Sequence, residues 1–313
     1  KCDLMINVGA RFDDRVTGRL DAFSPDSVKF HIDIDQSSIN KNVKVDFHTN
    51  TDITMTLKEI NTFIESNNIE LEKKDYTNWW GQINDWRKKE CLHYEQGEEI
   101  IKPQHAISRL YDLTTQKDTF ITTEVGQHQM WAAQYYKFSK PNRWITSGGL
   151  GTMGFGMPAA VGAQMANPDS LVIDIAGEAS FLMNIQEIAT AVQYKLPIKI
   201  FILNNEYMGM VRQWQELLHG SRYSESYVDA LPDFKKLAES FNAVGVRAKN
   251  ISELDDAINE MVSIDRPVIA DIWVDKKENC FPMIPSGAAH HEMLLSKYDK
   301  ENPENQEKGK VLV

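Results

Sequence analysis

Cysteine is scarce in this sequence. The chain of 313 residues has 3 cysteines, and Cys2, Cys91 and Cys280 are scattered, odd in number and without metal-ligand spacing. That excludes a disulfide framework and makes a reducing compartment the expectation, with buried or incidental thiols. Long apolar runs are missing too: none reaches the ~18 residues that a membrane helix needs. Basic charge is in deficit, with Lys plus Arg at 34 against Asp plus Glu at 45 and a net charge of −11. An acidic surface argues against nucleic acid and anionic membrane as partners. There is no internal repeat. The rest is ordinary for a globular protein, 42% hydrophobic and 25% charged, and the length admits two domains.

Four stretches are expected along the chain. Residues 1–66 read as a small α/β unit, with strands at 4–10 and 28–35 and a helix at 53–64. Two parallel strands would make a poor sheet alone, since parallel sheets are normally covered on both faces. The chain opens inside a strand, as a fragment of something longer would. Residues 67–102 are charged, contain Trp79, Trp80 and Trp86, and read as a linker and a helix whose tryptophans are packing anchors against the next domain rather than ligand stackers. Residues 103–285 form the main domain, with strands at 119–123, 144–146, 171–175, 198–203, 244–248 and 268–274 alternating with helices, including one at 252–262. Such alternation argues a doubly wound parallel α/β domain. Residues 286–313 are a tail whose last dozen are expected to be disordered.

Two short runs carry the most information: Asp174-Ile175-Ala176-Gly177-Glu178-Ala179-Ser180 and Leu203-Asn204-Asn205. Each follows a buried strand pattern, and Asn205 lies 27 positions after Glu178. Between them Ile185, Ile188, Ala189 and Val192 repeat at helical spacing. Asn184 with Glu187 suggests a capping box, and Pro197 forbids continuation. Strand, helix, strand makes a right-handed crossover in a parallel sheet, whose ligands bind beyond the carboxyl ends of the strands. A carboxylate and a carboxamide there suit magnesium, which takes oxygen ligands at about 2.0–2.1 Å and shares them with phosphate and water. Glu178, the Asn205 oxygen and the Tyr207 carbonyl are the expected protein ligands. Taken singly, Glu178 reads as a turn carboxylate and Asn205 as a strand-end cap; the pairing favours the metal.

Two more loops follow strands. Ser147-Gly148-Gly149-Leu150-Gly151-Thr152-Met153-Gly154-Phe155-Gly156-Met157-Pro158 is dense in glycine, which permits close backbone approach to a ligand, with Pro158 at an expected first helical position. In Val125-Gly126-Gln127-His128-Gln129-Met130-Trp131, Gln127 and His128 are placed to donate to a phosphate, although a lone His is more often structural.

Together these segments resemble the acetohydroxyacid synthase (acetolactate synthase) catalytic subunits, which are thiamine diphosphate (ThDP) enzymes. The most specific runs are Gly9-Ala10-Arg11-Phe12-Asp13-Asp14-Arg15-Val16-Thr17-Gly18, Val125 to Gln134, Thr146 to Gly154 and Gly209-Met210-Val211-Arg212-Gln213-Trp214. The resemblance implies that the main domain binds the ThDP diphosphate and that residues 1–66 are part of a Rossmann-like FAD-binding middle domain. It assigns Val125, Gly126, Gln127, His128, Gly151, Met153, Gly177, Ala179, Ser180, Gly209, Met210 and Val211 to ThDP, with Met153 bending the cofactor. Mg2+ falls to Glu178, Asn205 and Tyr207. It assigns Gly9, Ala10, Arg11, Asp13, Arg15, Val16, Asp33, Ile34 and Asp52 to FAD, with Gln129, Met130, Gly148 and Gly149 reaching the flavin. The FAD of this family does no net redox chemistry.

The implied reaction decarboxylates pyruvate and condenses the two-carbon unit with a second pyruvate or 2-ketobutyrate, in branched-chain amino acid biosynthesis. Arg15 would grip a 2-keto acid carboxylate with two hydrogen bonds, and Trp214 would favour the extra methyl of 2-ketobutyrate by ~1 kcal/mol. Without the resemblance, Arg15 reads as a surface ion pair with Asp13 or Asp14 and Trp214 as core packing. A homodimer or homotetramer, a small regulatory subunit and a cytoplasmic location (organellar in a eukaryote) are also implied.

Three departures stand out. Glu178 replaces the superfamily's usual Asp, a side chain longer by about 1.5 Å. Thr51 stands where a Gly precedes Asp52 in the family. The glutamate that activates the aminopyrimidine belongs to an N-terminal domain absent here, so the chain alone is expected to be inactive. The competing readings are another ThDP enzyme (a pyruvate oxidase, a 2-keto acid decarboxylase or glyoxylate carboligase), a nucleotide-binding dehydrogenase using Gly149 to Gly154, and a non-catalytic scaffold. The dehydrogenase reading lacks the usual strand-to-glycine spacing and an acidic residue about 20 positions on in the right context.

Overall fold

The computed structural model describes residues 2–70 and 74–296; the final dozen, expected to be disordered, lie outside them. The chain divides into two compact units, Lys1–Cys91 with Phe281–Val313, and Leu92–Cys280.

The first unit holds β1 (Leu4–Val8), α1 (Asp14–Thr17), β2 (Val28–Ile32), β3 (Phe47–Thr49), α2 (Ile53–Ser66) and α3 (Thr77–Arg87). Its parallel sheet has the order β1-β2-β3. The two-stranded expectation therefore missed β3, whose Phe-His-Thr is too short for a period of two to show. Because the strands run parallel, the loops beginning at Gly9, Asp33 and Asn50 share one carboxyl edge. Leu4, Ile6 and Val8 alternate along one face of β1 and are exposed. Trp79, Trp80 and Trp86 of α3 are 42%, 53% and 40% exposed, and Trp79 meets Trp86 edge to face at 5.6 Å.

The second unit comprises α4 (Pro103–Thr114), β4 (Thr119–Thr123), α5 (Gln127–Tyr135), β5 (Trp144–Thr146), α6 (Gly156–Ala166), β6 (Leu171–Ala176), α7 (Glu178–Phe181), α8 (Glu187–Gln193), β7 (Lys199–Asn204), α9 (Gly209–Leu218), α10 (Phe234–Ser240), β8 (Val244–Ala248), α11 (Ile251–Ser263) and β9 (Val268–Trp273). The all-parallel sheet runs β5-β4-β6-β7-β9-β8. Ile107, Leu110, Trp131, Leu254 and Ile258 pack one face of it, from α4, α5 and α11. Met157, Ala160, Ile188, Phe234 and Ala238 pack the other, from α6, α8 and α10. This is the doubly wound architecture expected, and burial on both faces explains why its central strands β6, β7 and β9 are largely apolar. After β4 the chain moves to one side of the sheet, and after β6 to the other. The crevice of such a fold lies at that reversal, beyond the strands' carboxyl ends.

Two local expectations are corrected. Asn184 forms no capping box: its amide donates to the Gly154 carbonyl at 2.5 Å, and α8 starts from Gln186 without a side-chain cap. Pro158 is the third residue of α6, not the first. It is tolerated because the first turn's N–H groups have no intrahelical acceptor.

Candidate active site

The loops after β4, β6 and β7 enclose a cavity of about 740 Å³. It is lined by Val125, Gly126, Gln127 and His128 from the first loop, by Gly177, Glu178, Ala179 and Ser180 from the second, and by Asn205, Tyr207, Gly209, Met210 and Val211 from the third, with Met153 and Trp214. Each loop leaves the carboxyl end of a neighbouring parallel strand, so adjacency in the sheet brings together residues far apart in sequence.

Glu178 and Asn205 meet through one donor. The Tyr207 N–H donates to Glu178 Oε1 at 2.8 Å and to Asn205 Oδ1 at 3.1 Å. Both side chains are buried, Glu178 at 1% exposure and Asn205 at 5%. Burial pushes the Glu178 carboxyl up to about 8, against hydrogen bonds from nearby backbone amides. A cation placed there would favour the charged form and reverse that shift. Among the described residues no group of three or more His, Cys, Asp and Glu side chains could hold a metal. The donors present are hard oxygens, one carboxylate and one carboxamide, suited to magnesium that takes its other ligands from phosphate and water.

The two adjacent asparagines divide their work. Asn204 ends β7 and donates to Asp271 of β9 at 2.9 Å, leaving Asn205 to face Glu178. Gln127 departs from its expected part as a side-chain phosphate donor. Its amide donates to Gln213 Oε1 at 2.8 Å and to the Glu278 carbonyl at 3.0 Å, and its own oxygen accepts from Asn205 at 3.4 Å. Both amide hydrogens are spent within the protein, so Gln127 orients Asn205. Gly209 is required beside it, because an added Cβ would run into Gln127 Oε1.

His128 is wrapped by glycine. A Cβ on Gly126 would come within 2.6 Å of its ring, and one on Gly177 within 2.7 Å. Burial drives its pKa down to about 3, so the ring is neutral, and Nε2 has no hydrogen-bond partner. An unsatisfied buried nitrogen on a cavity wall fits a bound polar group. The backbone N–H groups that open α5 add the positive end of a helix dipole.

The glycine loop reaches the cavity through Met153, with Gly151 at φ +67° and Gly154 at φ +84°. Gln129 instead donates to the Thr146 hydroxyl at 2.7 Å, and Met130 packs against the core. Gly148 and Gly149 stay exposed. His219 and Arg222 also line the cavity and were missed; they follow α9 in a loop with no motif, and only their distance of a few residues from Trp214 hinted at them.

In the first unit, Gly9 takes φ +67°, and the Ala10 carbonyl accepts from Asn7 at 2.6 Å and pairs with His31 Nε2 at 2.9 Å. Arg11 pairs with Asp13 at 3.2 Å, and Asp13 caps α1. Asp33 is buried, while Val16 and Ile34 are exposed. Asp52 is the N-cap of α2, accepting from Thr54 and Met55. Arg15 is exposed and lies 3.7 Å from Asp14.

Comparison with known proteins places this geometry. Residues 124–272 match the thiamine pyrophosphate enzyme C-terminal TPP-binding domain, and residues 1–60 match the thiamine pyrophosphate enzyme central domain. The chain is 44% identical over 301 residues to the acetolactate synthase isozyme 3 large subunit of Escherichia coli, covering 95% of this chain and 52% of that protein. It is 42% identical over 300 residues to an acetolactate synthase large subunit of Haemophilus influenzae, covering 96% and 52%. A third such subunit, from Cyanidium caldarium, is 42% identical over 295 residues. The chain spans about half the length of the curated relatives it matches. Among the described residues no helix is long and apolar enough to cross a membrane.

Proposed function

We propose a function from one premise: the chain belongs to the thiamine pyrophosphate enzymes and matches the acetolactate synthase large subunits among them. The protein of which it is part decarboxylates pyruvate and joins the two-carbon unit to a second pyruvate or to 2-ketobutyrate. The products are 2-acetolactate and 2-aceto-2-hydroxybutyrate, for branched-chain amino acid biosynthesis. The observation that carries this reading is the convergence of Glu178 and Asn205 on the Tyr207 amide at the mouth of three adjacent strands.

Glu178, the Asn205 oxygen and the Tyr207 carbonyl would hold magnesium, with Gln127 keeping Asn205 in place. His128, Ala179, Ser180 and the backbone of Val125, Gly126 and Gly177 would receive the diphosphate. Gly151 and Met153 would seat the aminopyrimidine, beside Gly209, Met210 and Val211. Bound ThDP supplies the electron sink that decarboxylation needs. Trp214 would favour 2-ketobutyrate by contact with its extra methyl, and Arg15, in the first unit, would grip a 2-keto acid carboxylate. The loops at Gly9, Asp33 and Asp52 would take FAD in a structural role. We also assign a homodimer or homotetramer, a small regulatory subunit and a reducing, cytoplasmic or organellar compartment to the whole protein.

The test is an assay of the full-length protein with pyruvate, ThDP, magnesium and FAD, identifying the product. Acetolactate without acetate is expected. Acetaldehyde would make the protein a decarboxylase, and acetate with oxygen uptake an oxidase. Glu178 is the one carboxylate lining the cavity among the described residues, and magnesium would engage it, leaving no carboxylate there to activate the aminopyrimidine. Purified residues 1–313 are therefore expected to form no acetolactate, and turnover at an ordinary rate would refute that expectation.

A further inference from the structure

Two acids of the second unit stand outside this chemistry. Glu124 follows β4 directly, and Asp174 lies in β6 in register with Thr122 of β4; both are 0% exposed. An ionised carboxylate is costly to bury unless hydrogen bonds or charges compensate it, and the two are compensated differently. Glu124 accepts from the Gly154 N–H at 2.6 Å and from the Met157 N–H at 3.1 Å. Burial raises its carboxyl, and the backbone amides of the turn that opens α6 oppose that rise, since free N–H groups and the helix dipole there favour negative charge. Asp174 accepts a single hydrogen bond, from the Thr122 hydroxyl to Oδ1 at 3.1 Å, and Oδ2 has no partner. Burial and the charge of Glu124 both push its carboxyl well up. A protonated Asp174 removes the like-charge conflict, whereas an ionised one would lie buried with a bare oxygen.

The backbone between them leaves no slack. A Cβ on Gly156 would run into Asp174 Oδ1 and come within 2.7 Å of the Glu124 nitrogen. Gly154, held by Glu124 through its N–H, is held through its carbonyl by Asn184 at 2.5 Å. The residue before it is Met153, on the cavity wall.

We propose that Glu124 and Asp174 are a positioning pair for the cofactor seat: ionised Glu124 grips the Gly154 and Met157 amides, protonated Asp174 completes its surroundings, and together they set where Met153 stands in the cavity. This rests on the reading of the cavity as a ThDP site. Neither acid touches the reacting atoms.

The experiment uses the full-length protein and two readouts. One is ThDP affinity, from titration of tryptophan fluorescence in the presence of magnesium. The other is amide hydrogen exchange of residues 148–157 without ThDP. E124Q presents one acceptor oxygen in place of two and removes the charge. It should bind ThDP at least about tenfold more weakly and lose exchange protection. D174N stays neutral and keeps a donor, and should remain within about twofold of wild type in affinity with protection retained. Where E124Q does not fold, E124D, retracted by about 1.5 Å, takes its place with the same expectation. An E124Q protein that binds and protects like wild type, or a D174N protein that falls as far as E124Q, overturns the positioning role alone. A wild-type protein that binds no ThDP overturns the functional reading, and this role with it.

Discussion

The two units use the same device, a parallel sheet with loops at its carboxyl edge, to different depths. In the second unit six strands are covered on both faces, and the polar groups at the edge are sealed: Glu124, His128, Glu178 and Asn205 are all at most 6% exposed. In the first unit three strands carry an exposed apolar face, and its edge shows Arg11, Arg15 and Ile34 to solvent. Sealing changes the chemistry. Burial holds His128 neutral and Glu178 high because water no longer stabilises their charged forms. In the first unit Arg15 pairs at the surface with Asp14, in a contact that water screens. A deep sheet thus makes a preset polar cavity, while a shallow one presents its loops in place but leaves their charges in water.

That contrast can be broken by substitution. Phe201 is fully buried in the second unit and Phe47 is 64% exposed in the first. Phe201→Ala should cost about 3–5 kcal/mol and Phe47→Ala no more than about 0.5 kcal/mol, read by denaturant unfolding. Equal costs would erase the distinction between the two sheets.

Acid should find the second unit through His128. Its folded pKa, about 3, lies below the ordinary 6.5, so the unfolded state binds more protons between these values. The neutral ring's stabilisation is therefore complete above about pH 6.5 and is lost as pH falls toward 3. At pH 4 the loss is on the order of 3 kcal/mol. Unfolding measured at pH 7 and pH 4 should show a smaller difference in His128→Gln than in wild type; an unchanged difference would mean that the ring is not sealed.

Gln127→Ala sharpens the comparison at the site, since Gln127 orients Asn205 rather than the ligand. Metal affinity should fall about 10–100-fold, as for other groups that orient a metal ligand, measured by magnesium titration of ThDP binding. A loss in ThDP affinity that saturating magnesium does not repair would instead make Gln127 a phosphate contact. Trp214→Leu should cost ~1 kcal/mol of preference for 2-ketobutyrate, about fivefold in the product ratio from mixed substrates. Asp52→Ala should cost the first unit about 1 kcal/mol through the lost α2 cap, while Asp52→Asn, an equally good cap, should be neutral. A neutral Asp52→Ala with weakened FAD binding would show that the carboxylate serves the ligand alone.

Much of the second unit was legible because its buried parallel strands are short runs rich in apolar and β-branched residues. The strands at 119–123, 144–146 and 244–248 fall where the pattern put them. The glycine loop and the spacing of Glu178 to Asn205 likewise pointed to one edge. Where the outcome depended on partners distant in sequence, the pattern was silent. Asn184 resembled a cap, but the fold brings the Gly154 carbonyl to it. Gln127 resembled a free donor, but Gln213 and Glu278 take its hydrogens. Nothing in Phe-His-Thr announced β3.

By itself, then, the sequence determined the alternation of strands and helices, the lack of cysteines for a disulfide framework, and which loops carry carboxylate, carboxamide and glycine, since these follow from local periodicity and residue chemistry. Tertiary structure alone decided that β9 inserts between β7 and β8, that Asn205 rather than Asn204 meets Glu178, and that His128 is neutral. Each of these is set by which strands lie side by side and how completely they exclude water, and those are properties of the packed sheet, not of any segment within it.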